Sequence, residues 1–285
     1  MRIAYISAGA AGMLCGACLH DNTLAAALGR VGHDVVLVPT YTPIRTDETD
    51  VSLDTVFYGA VNLYLQQCSA LFRHTHRFLD RLLDHPRLLG WAAKRGTASN
   101  SADQMGPMTC SVLAGEKGRQ RKELRRLVRW LRDSFQPDIV HLTNSMFLGL
   151  AGPIRQSLGV PVIASVQGEE IFFDGLPPEW RARVMTLLRT AARDADLILA
   201  PGSGYAARMA ALMEYPLERF RIVPLGITLA GHAAGTAALR RETATRPFTI
   251  GYLARISPEK GFHLVVEAFR LLASRVNPAA IRLVT

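Results

Sequence analysis

No stretch of this 285-residue chain supplies the run of about 20 apolar residues that a membrane-spanning helix needs. Even residues 146–154 are interrupted by Gly149, Gly152 and Pro153, so the chain is not expected to cross a bilayer. Its start has one basic residue, Arg2, before an apolar stretch broken by Gly9 and Gly12; a buried strand and a glycine turn describe it better than a secretory leader. Cysteine is scarce, with Cys15, Cys18, Cys68 and Cys110 the full set. Without a secretory signal four cysteines give no disulfide framework, and a reducing cytoplasm is the natural compartment. Residues 9–12 read Gly-Ala-Ala-Gly, so the dinucleotide spacing Gly-x-Gly-x-x-Gly is missing. There is no short solenoid repeat and no low-complexity tract.

Acidic residues are outnumbered, 24 to 33, which leaves a net charge of +9 and an isoelectric point near 9.8. That balance favours anionic partners: nucleotide sugars, phospholipid head groups and nucleic acid all qualify on charge alone. With 49% apolar and 20% charged residues, the composition is that of a globular protein with room for one large or two ordinary domains.

What is present is an alternation of short β-rich runs with helical patterns. Residues 2–7 read as a strand, 8–16 as a glycine-rich turn, 19–30 as a helix stopped by Gly32, and 34–38 as a second strand. Further strands are expected at 139–142, 162–166, 197–200 and 221–223. Such alternation implies an α/β fold with a parallel, doubly wound sheet. Between Thr40 and Pro137 the pattern is interrupted: residues 56–67 suit a strand or hairpin and residues 71–94 a helix. Leu124, Leu127, Val128 and Leu131 then form the buried stripe of a strongly basic helix. Its cations are either a solvated face partly balanced by Glu116, Glu123 and Asp133, or a surface for anions such as a membrane.

Several segments end at the carboxyl edge of such a sheet, where open α/β folds bind ligands. Asn144 follows the strand 139–142, and Gln167, Glu169 and Glu170 follow 162–166. Asn144 can cap the next helix or meet a ligand, and the two glutamates can orient hydroxyls or sit solvated in a loop. Gln167 cannot carry a proton, so it acts by hydrogen bonding. Cys15 and Cys18 form a Cys-x-x-Cys pair at a helix N-terminus, compatible with packing or with thiol redox chemistry. Asp21 and Asn22 can cap that helix or reach the cleft.

Near the end, residues 248–253 read as a strand that delivers Arg255 to a turn with Ser257 as N-cap, Pro258 at the first helical position and Lys260 in the first turn. A cation there opposes the helix dipole unless an anion docks on it, which makes the segment a phosphate-sized site.

The segment from Gly251 to Gly261 resembles the Gly-Arg-Leu-x-x-x-Lys-Gly signature of family 4 glycosyltransferases. Residues 15–24, 38–43 and 223–227 also resemble this family, the first two one of its bacterial branches. The resemblance implies a GT-B-like fold, with a nucleotide sugar bound between two Rossmann-like domains and transferred with retention. It implies residues 1–224 as a complete N-terminal, acceptor-side domain with a helical insertion at about 41–136, a linker at 225–247, and the opening of a donor-binding domain at 248–285. Arg255 and Lys260 would hold the donor diphosphate, with Gly12 and Gly226 lining its approach. Gln167 stands where many members carry a His near the transferred sugar, and with Glu169 would form the catalytic pair. Asn144 and Glu170 would face the acceptor, a glycan, lipid or small molecule. No metal or other cofactor is expected, and no nucleic-acid partner. The implied location is cytoplasmic, with a peripheral contact at the inner membrane face as an addition. Only 24 residues follow Gly261, and the paired donor glutamates of the family fall later, so the chain is expected to be C-terminally truncated. A non-catalytic binding module and a thiol oxidoreductase using Cys15 and Cys18 are the alternatives.

Overall fold

The computed structural model describes residues 1–9, 15–69, 71–73, 102–228, 247–254, 256–276 and 281–285. The chain divides into two compact units, Met1–Thr228 and Leu229–Thr285.

In the first unit six strands form one sheet: β1 (Arg2–Ala8), β2 (Asp34–Thr40), β3 (Ile139–Leu142), β4 (Val162–Ser165), β5 (Leu197–Ala200) and β6 (Phe220–Ile222). The order is β2-β1-β3-β4-β5-β6 and every pairing is parallel. Parallel strands need crossovers, and helices supply them. α1 (Gly16–Arg30) joins β1 to β2. α5 (Ala151–Leu158) precedes β4; α6 (Glu170–Asp174) and α7 (Pro178–Ala192) lie between β4 and β5; α8 (Ser203–Met213) precedes β6. Residues 3–7 of β1 are all buried, as expected of a strand covered on both faces. The core runs from Ile6, Val140, Leu142 and Ala164 through Phe147, Ile154, Val184 and Leu188 to Met209 and Phe220.

Among the described residues, three α-helices lie in the insertion before β3: α2 (Ala60–Cys68), α3 (Ala102–Leu113) and α4 (Arg121–Trp130). α2 overturns the strand or hairpin expected at 56–67. Of residues 56–67 only Phe57 pairs with β2, as an isolated bridge to Thr40, and the helix then buries Asn62, Leu63 and Gln66 on one face. That spacing is helical, and Leu65, Gln66 and Gln67 are good helix formers. Of the helix expected at 71–94, residues 74–94 lie outside the described residues; Leu71–Arg73 form a 3₁₀ turn. The basic helix is as expected: Leu124, Leu127 and Leu131 are buried and Val128 half-buried. Three of its arginines carry acidic partners, Arg125 on Glu116 at 2.9 Å, Arg126 on Glu123 at 3.3 Å and Arg132 on Asp133 at 2.7 Å.

The second unit pairs β7 (Phe248–Gly251) in parallel with β8 (Ile281–Val284) and carries α9 (Phe262–Ala273). The turn before α9 corrects the sequence reading. Ser257 does take the N-cap position with Pro258 first, but of a separate 3₁₀ turn, Pro258–Lys260, and without a side-chain cap bond. Gly261, at φ 71°, is the N-cap of α9, and the N–H groups of Leu264 and Val265 both donate to its carbonyl. A left-handed residue, which glycine adopts at little cost, breaks the helix between Lys260 and Phe262. Lys260 therefore precedes the helix instead of lying in its first turn. It is exposed, and its carbonyl accepts from the Tyr252 hydroxyl at 3.2 Å.

Candidate active site at the sheet edge

The chain leaves β1 toward β2 on one side and returns to β3 on the other, so the carboxyl ends of β1 and β3 form the point where strand order reverses. Open α/β sheets hold ligands in the crevice at such a point. Here it gathers Ser7 from the end of β1, Thr143 and Asn144 after β3, and Gln167 to Glu170 after β4.

Asp21 is the hub. Cys18, Asp21, Asn22 and Ala25 are the buried face of α1, which places a carboxylate against the sheet. It accepts three hydroxyl bonds, from Tyr5, Ser7 and Thr143, each at 2.5 Å, and the Gln167 Nε2 lies 3.5 Å away. His20 Nδ1 is 3.4 Å from it. A capping role for Asp21 or Asn22 is thus corrected: both lie in the second turn of α1. The N-cap is Cys15, without a side-chain cap bond. Asn22 instead pins the following loop, donating to the Thr49 carbonyl and accepting from Val51 N–H, each at 3.0 Å. Cys18 is fully buried and its Sγ donates to the Ala8 carbonyl at 3.3 Å, which favours the packing reading of the cysteine pair.

Beneath the edge, His141 stacks on Tyr5 with ring centroids 4.2 Å apart and its Nε2 meets Ser165 Oγ at 2.7 Å. Burial pulls its pKa from 6.5 down to about 4, against the attraction of Asp21, and His20 adds to the lowering. The imidazole is neutral at pH 7. Burial also drives the Tyr5 phenol well above its usual range, with the Asp21 charge and hydrogen bond adding to the rise.

Glu169 and Glu170 are not solvated loop carboxylates; both are buried. Glu169 accepts from Ser145 N–H at 2.8 Å, Ser145 Oγ at 3.2 Å and Gln167 N–H at 2.6 Å, so one carboxylate ties the ends of β3 and β4 together. Its pKa is raised, because burial outweighs the bonds from Ser145 and Gln167 that stabilise the charge. Tyr205, from α8, accepts from Gly168 N–H at 2.6 Å and donates to Glu170 at 2.5 Å, closing the loop from the other side. Asn144 caps the 3₁₀ turn Ser145–Leu150 by accepting from Met146 N–H at 3.1 Å. The half-buried Gln167 turns its amide nitrogen to the Thr143 carbonyl at 2.8 Å.

The sheet thus gathers Asn144, Gln167, Glu169 and Glu170 at one edge. Gly226 is exposed in the segment beyond β6, and Lys260 belongs to the second unit. Gly12 and Arg255 lie outside the described residues. Sequence reasoning left Asp21 between a cap and a cleft residue without showing it as the hub, and did not reach Tyr5, Ser7, Thr143, Ser165 and Tyr205. One signal was available: Asp21 falls on the same helical stripe as Cys18 and Ala25, and a carboxylate on a buried stripe requires partners.

A cleft of about 430 Å³ lies between α4 and α5, lined by Arg125, Arg129, Arg132, Gln156 and Ser157 among others. No helix among the described residues is long and apolar enough to cross a membrane.

Among curated proteins none matches the chain. Solved structures share its fold. Sucrose-phosphate synthase from Thermosynechococcus elongatus superposes with a TM-score of 0.56 at 13% identity, over 95% of this chain and 60% of that one. HepE from Anabaena in complex with UDP gives 0.54 at 14% identity, over 100% of this chain and 62% of that one. The lipopolysaccharide outer core galactosyltransferase WaaB, in its apo form, gives 0.51 at 13% identity, over 99% and 60%. The chain spans about 60% of the length of these proteins. Neither these structures nor the family match supports a thiol oxidoreductase. Residues 107–230, which include Asn144, Gln167, Glu169, Glu170 and Gly226, match the family model described as Glycosyltransferase Family 4, set in a GT-B-type α/β fold.

Proposed function

We propose that the chain belongs to a family 4 glycosyltransferase, with residues 1–224 on the acceptor side and residues 248–285 on the donor side, which moves a sugar from a nucleotide-sugar donor to an acceptor hydroxyl with retention. The family match over residues 107–230 carries this reading, because it covers β3 to β6 and the loops that converge on the sheet edge. In this reading Gln167 hydrogen-bonds the reacting sugar. Glu169 holds Gln167 and Ser145 in place, while Glu170 and Asn144 face the acceptor. Arg255 and Lys260 offset the diphosphate charge, Gly12 and Gly226 border the donor, and the departing phosphate assists deprotonation of the acceptor without a bound metal. The UDP in the HepE structure supports a uridine nucleotide as the first donor to try.

The arginines along the α4 and α5 cleft support a peripheral contact with an anionic membrane surface, at the cytoplasmic face.

Calorimetric titration of UDP and GDP into the wild-type chain and a Lys260→Ala variant, at low ionic strength, tests the donor loop. A charge-assisted phosphate contact contributes about 1.5–3 kcal/mol, so the variant is expected to bind at least tenfold more weakly. Equal binding by both chains would remove Lys260 from the donor site, and absence of binding by either would refute the nucleotide reading for this chain.

A further inference from the structure

The side-chain amide of Gln167 has only one workable orientation. Its Nε2 faces the Thr143 carbonyl at 2.8 Å, the Thr143 hydroxyl at 3.2 Å and Asp21 Oδ1 at 3.5 Å. A carbonyl and a carboxylate only accept. The Thr143 hydroxyl proton is already given to Asp21 Oδ2 at 2.5 Å, which leaves that oxygen to accept as well. Turning the amide over would set Oε1 against three oxygens with no proton among them. Asp21 acts on this arrangement twice, directly and by taking the Thr143 proton. It is itself held by Tyr5 and Ser7, while the Gln167 backbone N–H is held by Glu169.

We propose that Asp21 is a positioning residue for this site: it fixes Gln167 with the nitrogen inward, so that the carbonyl oxygen is the atom offered at the sheet edge. The group read there is consequently a hydrogen-bond donor. The sugar hydroxyl that fills this role rests on the glycosyltransferase reading, whereas the orientation of the amide does not. A carboxylate that merely welded β1 to β3 would leave the Gln167 amide indifferent to its removal.

The test uses the full ¹⁵N-labelled chain with no nucleotide present. The Gln167 side-chain amide pair is assigned by its disappearance in Gln167→Glu, and its exchange with water is followed in wild type and Asp21→Asn. This near-isosteric change puts an NH₂ in place of one of the two oxygens, removing either the acceptor of the Thr143 hydroxyl or the one that faces Gln167 Nε2. Exchange is expected to rise at least tenfold and the proton shifts to move toward those of a solvated glutamine, while the backbone amides of β1, β3 and β4 keep their positions. Unchanged Gln167 signals in a folded Asp21→Asn chain would overturn the proposal. If that variant does not fold, Thr143→Val removes the intervening hydroxyl without touching a charge; the same loosening is expected, and an unmoved amide overturns the proposal equally. Because the amide is read without ligand, a failure of UDP to bind would refute the donor reading and leave this result to stand or fall by itself.

Discussion

Acidification from pH 7 to pH 4 is expected to cost the first unit about 3 kcal/mol through His141, at 1.36 kcal/mol for each unit by which the pKa moves. The pKa falls from 6.5 to about 4 on folding, because charging a fully enclosed imidazole costs more than Asp21 returns. The groups facing it are Asp21 on α1, Tyr5 stacked from β1, Ser165 from β4 and His20 as a second potential cation. A folded pKa below the unfolded one means that the unfolded chain binds the proton first. The contribution is therefore fully present above pH 6.5 and is lost as pH falls toward 4. The double variant His141→Phe/Ser165→Ala replaces both partners of the buried bond with apolar groups, so neither is left unsatisfied. Urea unfolding across this range, read from the first unit, should show the wild type losing about 3 kcal/mol more than the double variant. Parallel stability curves would show that His141 does not change its protonation on unfolding.

Glu169→Ala is expected to be the most damaging single change at the edge. It leaves Ser145 N–H, Ser145 Oγ and Gln167 N–H without their acceptor, all beside a buried carboxylate site. An unsatisfied buried donor costs about 1–3 kcal/mol, so a loss of roughly 3 kcal/mol or more follows. In a unit of this size that lowers Tm by roughly 6–12 °C. Glu169→Gln keeps one oxygen but turns an NH₂ toward donors, and should fall between. The pH dependence has the opposite sign to that of His141. The folded pKa of Glu169 is raised, so its contribution is complete below the ordinary carboxylate value and declines as pH rises through the folded pKa. The wild type should accordingly gain on Glu169→Gln as pH falls through that window. Differential scanning calorimetry of the three chains at two pH values measures both effects, and a Tm of the Ala variant within about 2 °C of wild type would remove Glu169 from the account.

The sheet was legible because its strands are short apolar runs separated by helical patterns; residues 139–142 and 197–200 were placed to the residue. Fully buried parallel strands announce themselves in this way. The edge loops were legible by address, since polar residues after a strand emerge at its carboxyl end. What they do there was not. Glu169 and Glu170 are indistinguishable from solvated loop acids until Ser145 and Tyr205, 24 and 35 residues away in the chain, are brought against them. Asp21 meets a hydroxyl 122 residues distant, a contact set by strand order and invisible to local pattern. Residues 56–67 misled because β-branched and aromatic residues at Val56, Phe57 and Tyr58 precede a helix whose buried face is mostly polar, Asn62 and Gln66 bonded to Glu123. The turn at Lys260 misled because Ser-Pro-Glu-Lys is a good helix start, and only the left-handed Gly261 shows that the helix begins after it.

Whether the edge formed by β1, β3 and β4 is the ligand site is read most directly from a map of amide shifts in the ¹⁵N-labelled chain as UDP-glucose is added. Shifts concentrated at Ser7, Thr143–Ser145 and Gln167–Glu170 are expected. Shifts confined to the arginine-lined cleft between α4 and α5, with residues 167–170 unmoved, would contradict that reading.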